Sequence, residues 1–277
     1  MLATLLVLSA IAENPAERIG RMDHPAIAEA SGIVASRRHP GIFWVHNDSG
    51  NPPALFAIRK DGTLVREYRV AAPNVDWEDI ATDDSGHLYI GDIGDNLGTL
   101  PVRAIYQIDE PDPAIPPLSK ATLPVTRVTY FRYPGSAKLN AESLFIDDNR
   151  AFVVAKSSDN REAAMFALSL QEPAPLLRPL MAENAGSLPG FTRPATGADL
   201  SADGKWLAVC ALDEVRIYRR DADGRWLPEA HLKGPKGQVE AICWDGRDLI
   251  LASEQRDLFR IAERSWRSVK RPKVRTP

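Results

Sequence analysis

Three segments of this chain repeat one acidic pattern in the same register around short apolar runs. In each segment a glutamate stands two residues before an apolar anchor, and another charged residue stands twelve residues after that anchor. The two apolar runs in this interval, separated by a turn, predict a β-hairpin that places both charged residues at one edge of a sheet. The glutamates are Glu78, Glu142 and Glu240, the anchors are Ile80, Leu144 and Ile242, and the later residues are Asp92, Lys156 and Glu254.

A wider repeat contains these segments. Each unit has three or four short apolar runs separated by turn signals such as Asp-Gly and Ser-Gly, and no long helical period interrupts them. Four antiparallel strands at a period of about 40–60 residues are typical of a β-propeller blade. The sequence therefore predicts an all-β fold, a β-propeller of five four-stranded blades, with six blades or a two-sheet β-sandwich as alternatives. The five anchors are Ile33, Ile80, Leu144, Leu200 and Ile242, spaced by 47, 64, 56 and 42 residues.

The outer strands and the closure of the ring can also be predicted. The last unit has only a weak outer strand near Trp266, so we expect residues 18–22 to supply or flank it, because propellers commonly close with a strand from the other terminus. We place the other outer strands at residues 64–70, 125–133, 175–181 and 226–232.

Composition limits the function classes. The 277 residues are 44% hydrophobic and 26% charged, as in ordinary globular proteins, and the net charge of −3 gives no reason to expect a nucleic-acid partner. Residues 1–12 form an apolar run that is typical of a signal peptide, although a basic segment is missing and a buried first strand is the alternative. Twelve residues are too few for a transmembrane helix. We expect one propeller domain over residues 13–277, monomeric, without a transmembrane span, and periplasmic or secreted.

The hairpin geometry gathers ionisable residues at one mouth of the propeller channel. The start of an inner strand and the end of the second strand share a face, so the three glutamates should surround the channel with further charged residues outside them. Glu29 and residues 46–50 come from the first unit and should lie on the same face. The predicted metal ligands are Glu78, Asp79, Asp92, Asp95, Glu240 and Glu254; the catalytic candidates are His46, Glu142 and Lys156; and the ligand-binding candidates are Asn47, Asp48, Asn140 and Asp199.

Clustered carboxylates repel, so they must be protonated, paired or metal-bound. An all-oxygen ligand set suits Ca²⁺, whereas the absence of Cys-x-x-Cys and His-x-x-x-His patterns argues against zinc. The alternative for each acid is a structural role, accepting backbone N–H groups or capping turns. His46 could act as a general base or belong to a turn. Lys156 could pair with the carboxylates or hold an anionic substrate group.

The segments EASGIVAS, WVHNDSG, DWEDIA, LYIGDIGDN, NAESLF and TGADLSADG resemble a group of bacterial exported β-propeller proteins, most of them uncharacterised. Single blades are more distantly similar to calcium-dependent phytase-like and esterase-like propellers. That resemblance implies that Glu78, Glu142 and Glu240 occupy calcium-binding positions and that Lys156 faces a phosphate. The chain departs from the phytase pattern because it lacks a basic cluster and shows five units where those propellers have six blades.

Two functions follow as expectations. The first is an exported propeller with an acidic, Ca²⁺-binding mouth that hydrolyses phosphate esters, other esters or lactones, and so takes a small-molecule or anionic substrate. The second is a non-catalytic propeller that binds a protein or glycan in the cell envelope, with structural acids.

Overall fold

The computed structural model describes residues 7–8, 14–115, 122–135, 139–156, 160–269 and 273–274. Short antiparallel strands make up nearly all of the regular structure, and the described residues contain one five-residue helix, α1 (Glu263–Arg267). In chain order the strands are β1 (Val7–Leu8), β2 (Glu17–Arg21), β3 (Ala30–Ala35), β4 (Ile42–Asn47), β5 (Ala54–Arg59), β6 (Leu64–Val70), β7 (Trp77–Thr82), β8 (His87–Asp92), β9 (Arg103–Asp109), β10 (Thr122–Leu123), β11 (Arg127–Arg132), β12 (Ala141–Asp147), β13 (Arg150–Ala155), β14 (Ala164–Ser169), β15 (Leu180–Met181), β16 (Glu183–Ser187), β17 (Gly197–Leu200), β18 (Trp206–Ala211), β19 (Glu214–Arg220), β20 (Trp226–Lys233), β21 (Val239–Asp245), β22 (Asp248–Ser253), β23 (Asp257–Ile261) and β24 (Lys273–Val274).

These strands form five blades around a channel, which confirms the predicted five-bladed β-propeller. From the channel outward, blade 1 is β3-β4-β5-β6, blade 2 is β7-β8-β9-β11, blade 3 is β12-β13-β14-β16, blade 4 is β17-β18-β19-β20 and blade 5 is β21-β22-β23-β2. Neighbouring inner strands contact each other all the way round, and β21 of blade 5 meets β3 of blade 1. The ring is therefore closed, and every inner strand borders the same channel.

The N-terminal strand β2 completes blade 5, as predicted. It pairs antiparallel with β23, and its arginines add side-chain contacts across the same edge. The Arg18 and Arg21 guanidinium groups lie 2.6 and 3.2 Å from the Asp257 carboxylate. Because β2 leads along the chain into β3 of blade 1, its pairing with β23 closes the ring between the last and the first blade.

The predicted outer strand at residues 175–181 was wrong. Leu180–Met181 runs parallel to β11 and extends blade 2, while Glu183–Ser187 forms the outer edge of blade 3. Two prolines, Pro175 and Pro179, fall in the predicted segment. Proline cannot donate a backbone hydrogen bond, so such a segment crosses a sheet edge more easily than it completes a ladder.

Apolar side chains fill the spaces between blades. Trp44, Trp77 and Tyr106 belong to one cluster between blades 1 and 2, where the Trp77 and Tyr106 ring centroids are 6.4 Å apart. Burial of each such ring contributes on the order of 2–3 kcal/mol. Cys210 and Cys243 are buried free thiols in the apolar strands β18 and β21.

The signal-peptide prediction concerns residues 1–12, of which only β1 is described; β1 pairs antiparallel with β24. The other residues of that segment lie outside the described ranges, and export stays a prediction. Within the described residues, no helix is both long enough and apolar enough to cross a lipid bilayer.

Candidate functional site

One irregularity recurs in the inner strands of four blades. The pairing register between the first and second strands shifts by one residue near the start of each inner strand. A β-bulge of this kind leaves one residue unpaired and redirects its side chain. In blade 4 the inner strand β17 begins only at Gly197, and Thr196, the residue just before it, occupies the position of the bulged residue. The five residues are Ser31, Glu78, Glu142, Thr196 and Glu240, one from each blade, and all five line one cavity at the channel mouth.

This mouth cavity has a volume of about 340 Å³. The structure therefore brings Glu78, Glu142 and Glu240 together, as their register predicted. Of the other predicted site residues, Asp48, Lys156 and Glu254 also line it. The remaining lining residues are Glu29, Ala30, Ser49 and Asn96.

Three carboxylates on one side of the mouth form a compact cluster. One oxygen each from Asp48, Asp76 and Glu78 can be chosen so that all three lie within 4.8 Å of one another. Asp48 follows β4, Asp76 precedes β7, and Glu78 is the bulged residue of β7. In the described part of the chain, no hydrogen bond to the Glu78 carboxylate is observed. The cluster thus combines two segments of the chain; the Ser49 N–H donates to Asp48 at 2.5 Å, whereas the Glu78 oxygens have no donor among the described residues.

Gly94 leaves the space that this cluster occupies. A Cβ atom at this position would overlap the carboxylate oxygens of Glu78 and Asp76. The Gly94 N–H also donates to the Asp76 carbonyl at 3.2 Å, which fixes the loop after β8 against the start of β7. The glycine is therefore needed for a close approach of the backbone to the cluster.

The electrostatics of the cluster favour protons or a cation. Burial, followed by the charges of Glu142 and Asp48, holds the pKa of Glu78 well above its usual range. Burial also raises the pKa of Asp76, while a contact with the Ser49 side chain acts in the opposite direction. Carboxylates this close cannot all ionise without a compensating charge.

The other side of the mouth contains an ion pair and an isolated acid. The Lys156 ammonium contacts the Glu142 carboxylate, and the Asn140 side chain donates to the same carboxylate at 3.3 Å. Lys156 is the one basic residue among the described residues that line the cavity. Burial and then the negative charge of Glu142 raise the pKa of Glu240 to about 7. A carboxylate with this pKa can accept and release a proton near neutral pH.

Asp79 and Asp199 lie between the inner strands and not in the mouth cavity. The Asp79 carboxylate accepts backbone N–H groups from Ile80 (2.9 Å), Leu144 (2.8 Å) and Ala198 (3.2 Å), and so links blades 2, 3 and 4. Asp199 accepts the backbone N–H of Trp244 at 2.8 Å and links blades 4 and 5. Burial raises the pKa of Asp199 to about 7. Their positions support structural roles, which differ from the predicted metal and ligand contacts.

Asp92 also departs from its predicted place, because the hairpin of β7 and β8 in blade 2 is one residue longer than the hairpin of β12 and β13 in blade 3. Trp77 pairs with Asp92, whereas Ala141 of blade 3 pairs with Ala155, so Asp92 corresponds to Ala155 and not to Lys156. A shift of one residue turns a strand side chain to the opposite face. The Asp92 carboxylate accordingly accepts the Asp76 N–H at 2.6 Å and the Tyr106 hydroxyl at 3.0 Å.

Asp95 forms a buried ion pair with Arg103 at 2.6 Å. Its carboxylate also accepts the Thr99 N–H at 2.8 Å, and its own N–H donates to the Asn140 side chain at 2.7 Å. Asp95 therefore shapes the loop above the mouth and, through Asn140, supports Glu142. Its predicted role as a metal ligand has no support in this geometry.

His46 and Asn47 lie below the loop that the sequence placed at the mouth. His46 is fully buried between blades 1 and 2, with its ring 5.6 Å from that of Trp77, and burial lowers its pKa. The Asn47 side chain accepts the N–H groups of Ala28 and Glu29 at 3.1 and 3.3 Å. Neither lines the mouth cavity, so we leave both out of the proposed site.

Sequence reasoning missed Ser31, Thr196 and Asp76. Ser31 stands two residues before Ile33, in the same register as the three glutamates, so the spacing could have found it. Thr196 was missed because the sequence analysis took Leu200 as the anchor of blade 4. In the structure Ala198, two residues earlier, occupies the position that Ile80 has in blade 2, so the residue in the register of the glutamates is Thr196. Asp76 lies outside the repeat, and no spacing identifies it.

Comparisons with known proteins assign no family to this chain. No protein-family model and no curated protein matches the chain. Among solved structures, it is similar to the β-propeller domain of Cps50 (Swd1) from Myceliophteria thermophila, with 11% identity and a TM-score of 0.43 over 86% of this chain and 65% of that chain. It is also similar to a catalytically inactive virginiamycin B lyase from Staphylococcus aureus with quinupristin, with 15% identity and a TM-score of 0.44 over 86% of this chain and 67% of that chain. The chain thus spans about two thirds of the length of each of these two chains.

Proposed function

We propose that this propeller binds a divalent cation, Ca²⁺, at Asp48, Asp76 and Glu78, and hydrolyses an anionic ester held in the mouth cavity. The observation that carries the proposal is the convergence of three carboxylates with no basic partner among the described residues. Asp79, Asp92, Asp95 and Asp199, by contrast, have backbone or arginine partners.

The residues fit Ca²⁺ in number, chemistry and spacing. Ca²⁺ takes oxygen ligands at about 2.3–2.6 Å, so two ligands of one ion lie at most roughly 5 Å apart. The 4.8 Å limit on the three oxygens of the cluster is within that span. No cysteine or histidine is among the described residues that line the cavity, which disfavours a zinc site.

The remaining mouth residues suit ester hydrolysis. When bound, the cation would polarise the scissile group and lower the pKa of a water molecule. Glu240, with a pKa raised to about 7 by burial and Glu142, can take the proton from that water as a general base. Lys156 can hold the anionic part of the substrate, with Glu142 fixing its position. These properties fit phosphate esters first, and other esters or lactones of anionic compounds next.

A non-catalytic envelope propeller is the second candidate. The contact between Lys156 and Glu142 favours it, because the pair neutralises the one basic group among the described residues of the mouth cavity. In that case the mouth would bind a cation and a protein or glycan without turnover.

Cation binding can be tested by thermal unfolding with EDTA and with added Ca²⁺. We expect Ca²⁺ to raise the melting temperature of the wild type but not that of Glu78→Gln, because one of three ligands loses its charge. Glu183→Gln is the matched control, since Glu183 pairs with Arg150 at the outer edge of blade 3. A wild-type melting temperature that is equal in EDTA and in Ca²⁺ would contradict the proposal.

Turnover is tested with chromogenic phosphate, acyl and lactone substrates. Glu240→Gln should lower kcat by roughly 10²-fold or more, as expected for loss of a general base, while leaving Ca²⁺ stabilisation intact. Ca²⁺ binding without hydrolysis of any of these substrates would favour the non-catalytic propeller.

A further inference from the structure

Asn74 lies between the two segments of the chain that form the carboxylate cluster. Asp48 belongs to the loop after β4 of blade 1, whereas Asp76 and Glu78 flank Trp77 at the start of β7 in blade 2. The geometry of the cluster therefore depends on how the Asp48 loop is held against the neighbouring blade. The Asn74 side chain makes hydrogen bonds to both segments.

The two ends of the Asn74 amide have different partners. Its oxygen accepts the backbone N–H of Trp77 at 3.0 Å. Its nitrogen donates to the carbonyl of Asp48 at 2.9 Å, and the carbonyls of Asn47 and Asn51 lie 3.4 Å from the same nitrogen. Because an N–H group faces the amide oxygen and carbonyls face the amide nitrogen, these partners fix the orientation of the side chain.

The blade 2 end of this link is attached to the core. The indole N–H of Trp77 donates to the Pro73 carbonyl at 2.8 Å, and the Trp77 ring is fully buried in the cluster between blades 1 and 2. On the blade 1 side, the Asp48 N–H donates to the Glu29 carbonyl at 3.0 Å. Asp48 is therefore held to its own blade by its N–H and to blade 2 by its carbonyl.

The link opposes electrostatic repulsion within the cluster. Carboxylates at this spacing repel one another when no cation lies between them. Asp76 and Glu78 share the start of one strand, so the Asp48 loop is the part that repulsion would move. A site that opens in this way must close again on binding, which reduces the cation affinity in proportion to the fraction of molecules in the closed arrangement.

We propose that Asn74 is a positioning residue of the cation site: it holds Asp48 beside the two carboxylates of blade 2 at the distance that Ca²⁺ needs, and thereby favours Ca²⁺ over Mg²⁺. The inference rests on the proposed function, since it concerns the same cation. Ca²⁺ takes oxygens at about 2.3–2.6 Å in variable geometry, whereas Mg²⁺ needs near-octahedral ligands at about 2.0–2.1 Å. Asp48 held at two points resists the closer approach that the smaller ion requires, whereas a released loop can follow it.

Asn74→Ser separates this link from the turn around it. A serine hydroxyl can still accept the Trp77 N–H, but it is too short to donate to the Asp48 carbonyl. We expect Ca²⁺ affinity, measured by calorimetry, to fall roughly five- to tenfold, as loss of one hydrogen bond would give. Mg²⁺ affinity, measured by competition with Ca²⁺, should change by less than about twofold, because the released loop adapts to the smaller ion. The ratio of the two affinities should therefore fall.

Asn184→Ser is the matched control. The Asn184 side chain also accepts a backbone N–H, that of Gly186 at 2.8 Å, but at the outer edge of blade 3, so this variant should keep the wild-type ratio. Hydrogen exchange in EDTA gives a second readout that needs no cation. The Asp48 N–H should exchange faster in Asn74→Ser than in the wild type, while the melting temperature in EDTA stays close to that of the wild type.

The outcomes separate this inference from the proposed function. A Ca²⁺ to Mg²⁺ affinity ratio in Asn74→Ser equal to that of the wild type overturns the inference, as does unchanged exchange of the Asp48 N–H. A lower melting temperature in EDTA with an unchanged ratio would assign Asn74 a structural role only. A wild type that binds no Ca²⁺ contradicts the proposed function itself, and the inference falls with it.

Discussion

Glu78 and Asp79 are consecutive acids of the same inner strand, and both are buried, but their surroundings are opposite. Asp79 accepts three backbone N–H groups from three blades, whereas no hydrogen bond to the Glu78 carboxylate is observed in the described residues. Burial raises the pKa of both groups. At Glu78 the second largest effect on the pKa is the charge of neighbouring carboxylates, which raises it further. At Asp79 the second largest effect is hydrogen bonding from backbone N–H groups, which lowers the pKa.

This contrast shows how to separate structural acids from candidate ligands. A buried carboxylate whose lone pairs are occupied by backbone donors stabilises the fold and has little capacity left for a cation. One that faces other carboxylates and lacks donors gains most from a cation. The β-bulge produces the difference, because it directs Glu78 into the channel mouth and leaves Asp79 directed at the adjoining inner strands.

The largest expected effect concerns the structural side of the comparison. Asp79→Ala should destabilise the protein by about 3–5 kcal/mol, because it leaves buried N–H groups of blades 3 and 4 without an acceptor. Urea unfolding measures the loss. Glu78→Ala is the matched control and should change stability far less; a similar loss in both variants would remove the distinction.

Gly94→Ala tests the ligand side. The added methyl group would displace the Glu78 and Asp76 carboxylates, so we expect a loss of Ca²⁺ affinity of roughly tenfold or more, measured by calorimetry. Gly246→Ala is a control at a turn glycine with open space around it, although its φ of +64° makes some general destabilisation expected. Unchanged Ca²⁺ affinity in Gly94→Ala would show that the cation does not bind beside Gly94.

The pH dependence of stability tests the isolated acid of the mouth. Burial and Glu142 raise the folded-state pKa of Glu240 from an ordinary value of 4.5 to about 7. Below pH 4.5 both states hold the proton, and between pH 4.5 and 7 only the folded state keeps it, so stability falls as pH rises through this window. Glu240→Gln should lack this part of the decline. Midpoints of urea unfolding at three pH values across this window, in EDTA, measure the decline in stability. Glu183→Gln is a control at an exposed position and should follow the wild type.

The smallest effect concerns Asp92. Tyr106→Phe removes the one side-chain donor described for the Asp92 carboxylate, leaving the Asp76 N–H, and should cost about 1 kcal/mol of stability. Because Asp92 faces away from the mouth, Ca²⁺ affinity should not change. A clear drop in affinity would restore Asp92 as a candidate ligand and extend the cation site beyond the mouth cavity.

The repeat register predicted the blades and the convergence of Glu78, Glu142 and Glu240, because the bulge falls at the same place in three inner strands. It could not place Asp92, because the blade 2 hairpin is one residue longer than that of blade 3 and turns this side chain to the opposite face. It could not place Asp199, because the anchor of blade 4 lies two residues before the predicted Leu200. Asp76 and Gly94 belong to loops outside the repeat. Their contribution depends on how the loops of one blade fold over its inner strand, which strand periodicity does not encode.

Strand β2 also decides when the mouth can exist during synthesis. Residues 17–21 are made before the other blade strands and their partner β23 after them, so the ring stays open until the final blade has been translated. Asp48 of the first blade and Glu240 of the fifth face a common space only after that late pairing. A nascent chain therefore has no complete acidic mouth, although the cluster of Asp48, Asp76 and Glu78 needs only blades 1 and 2.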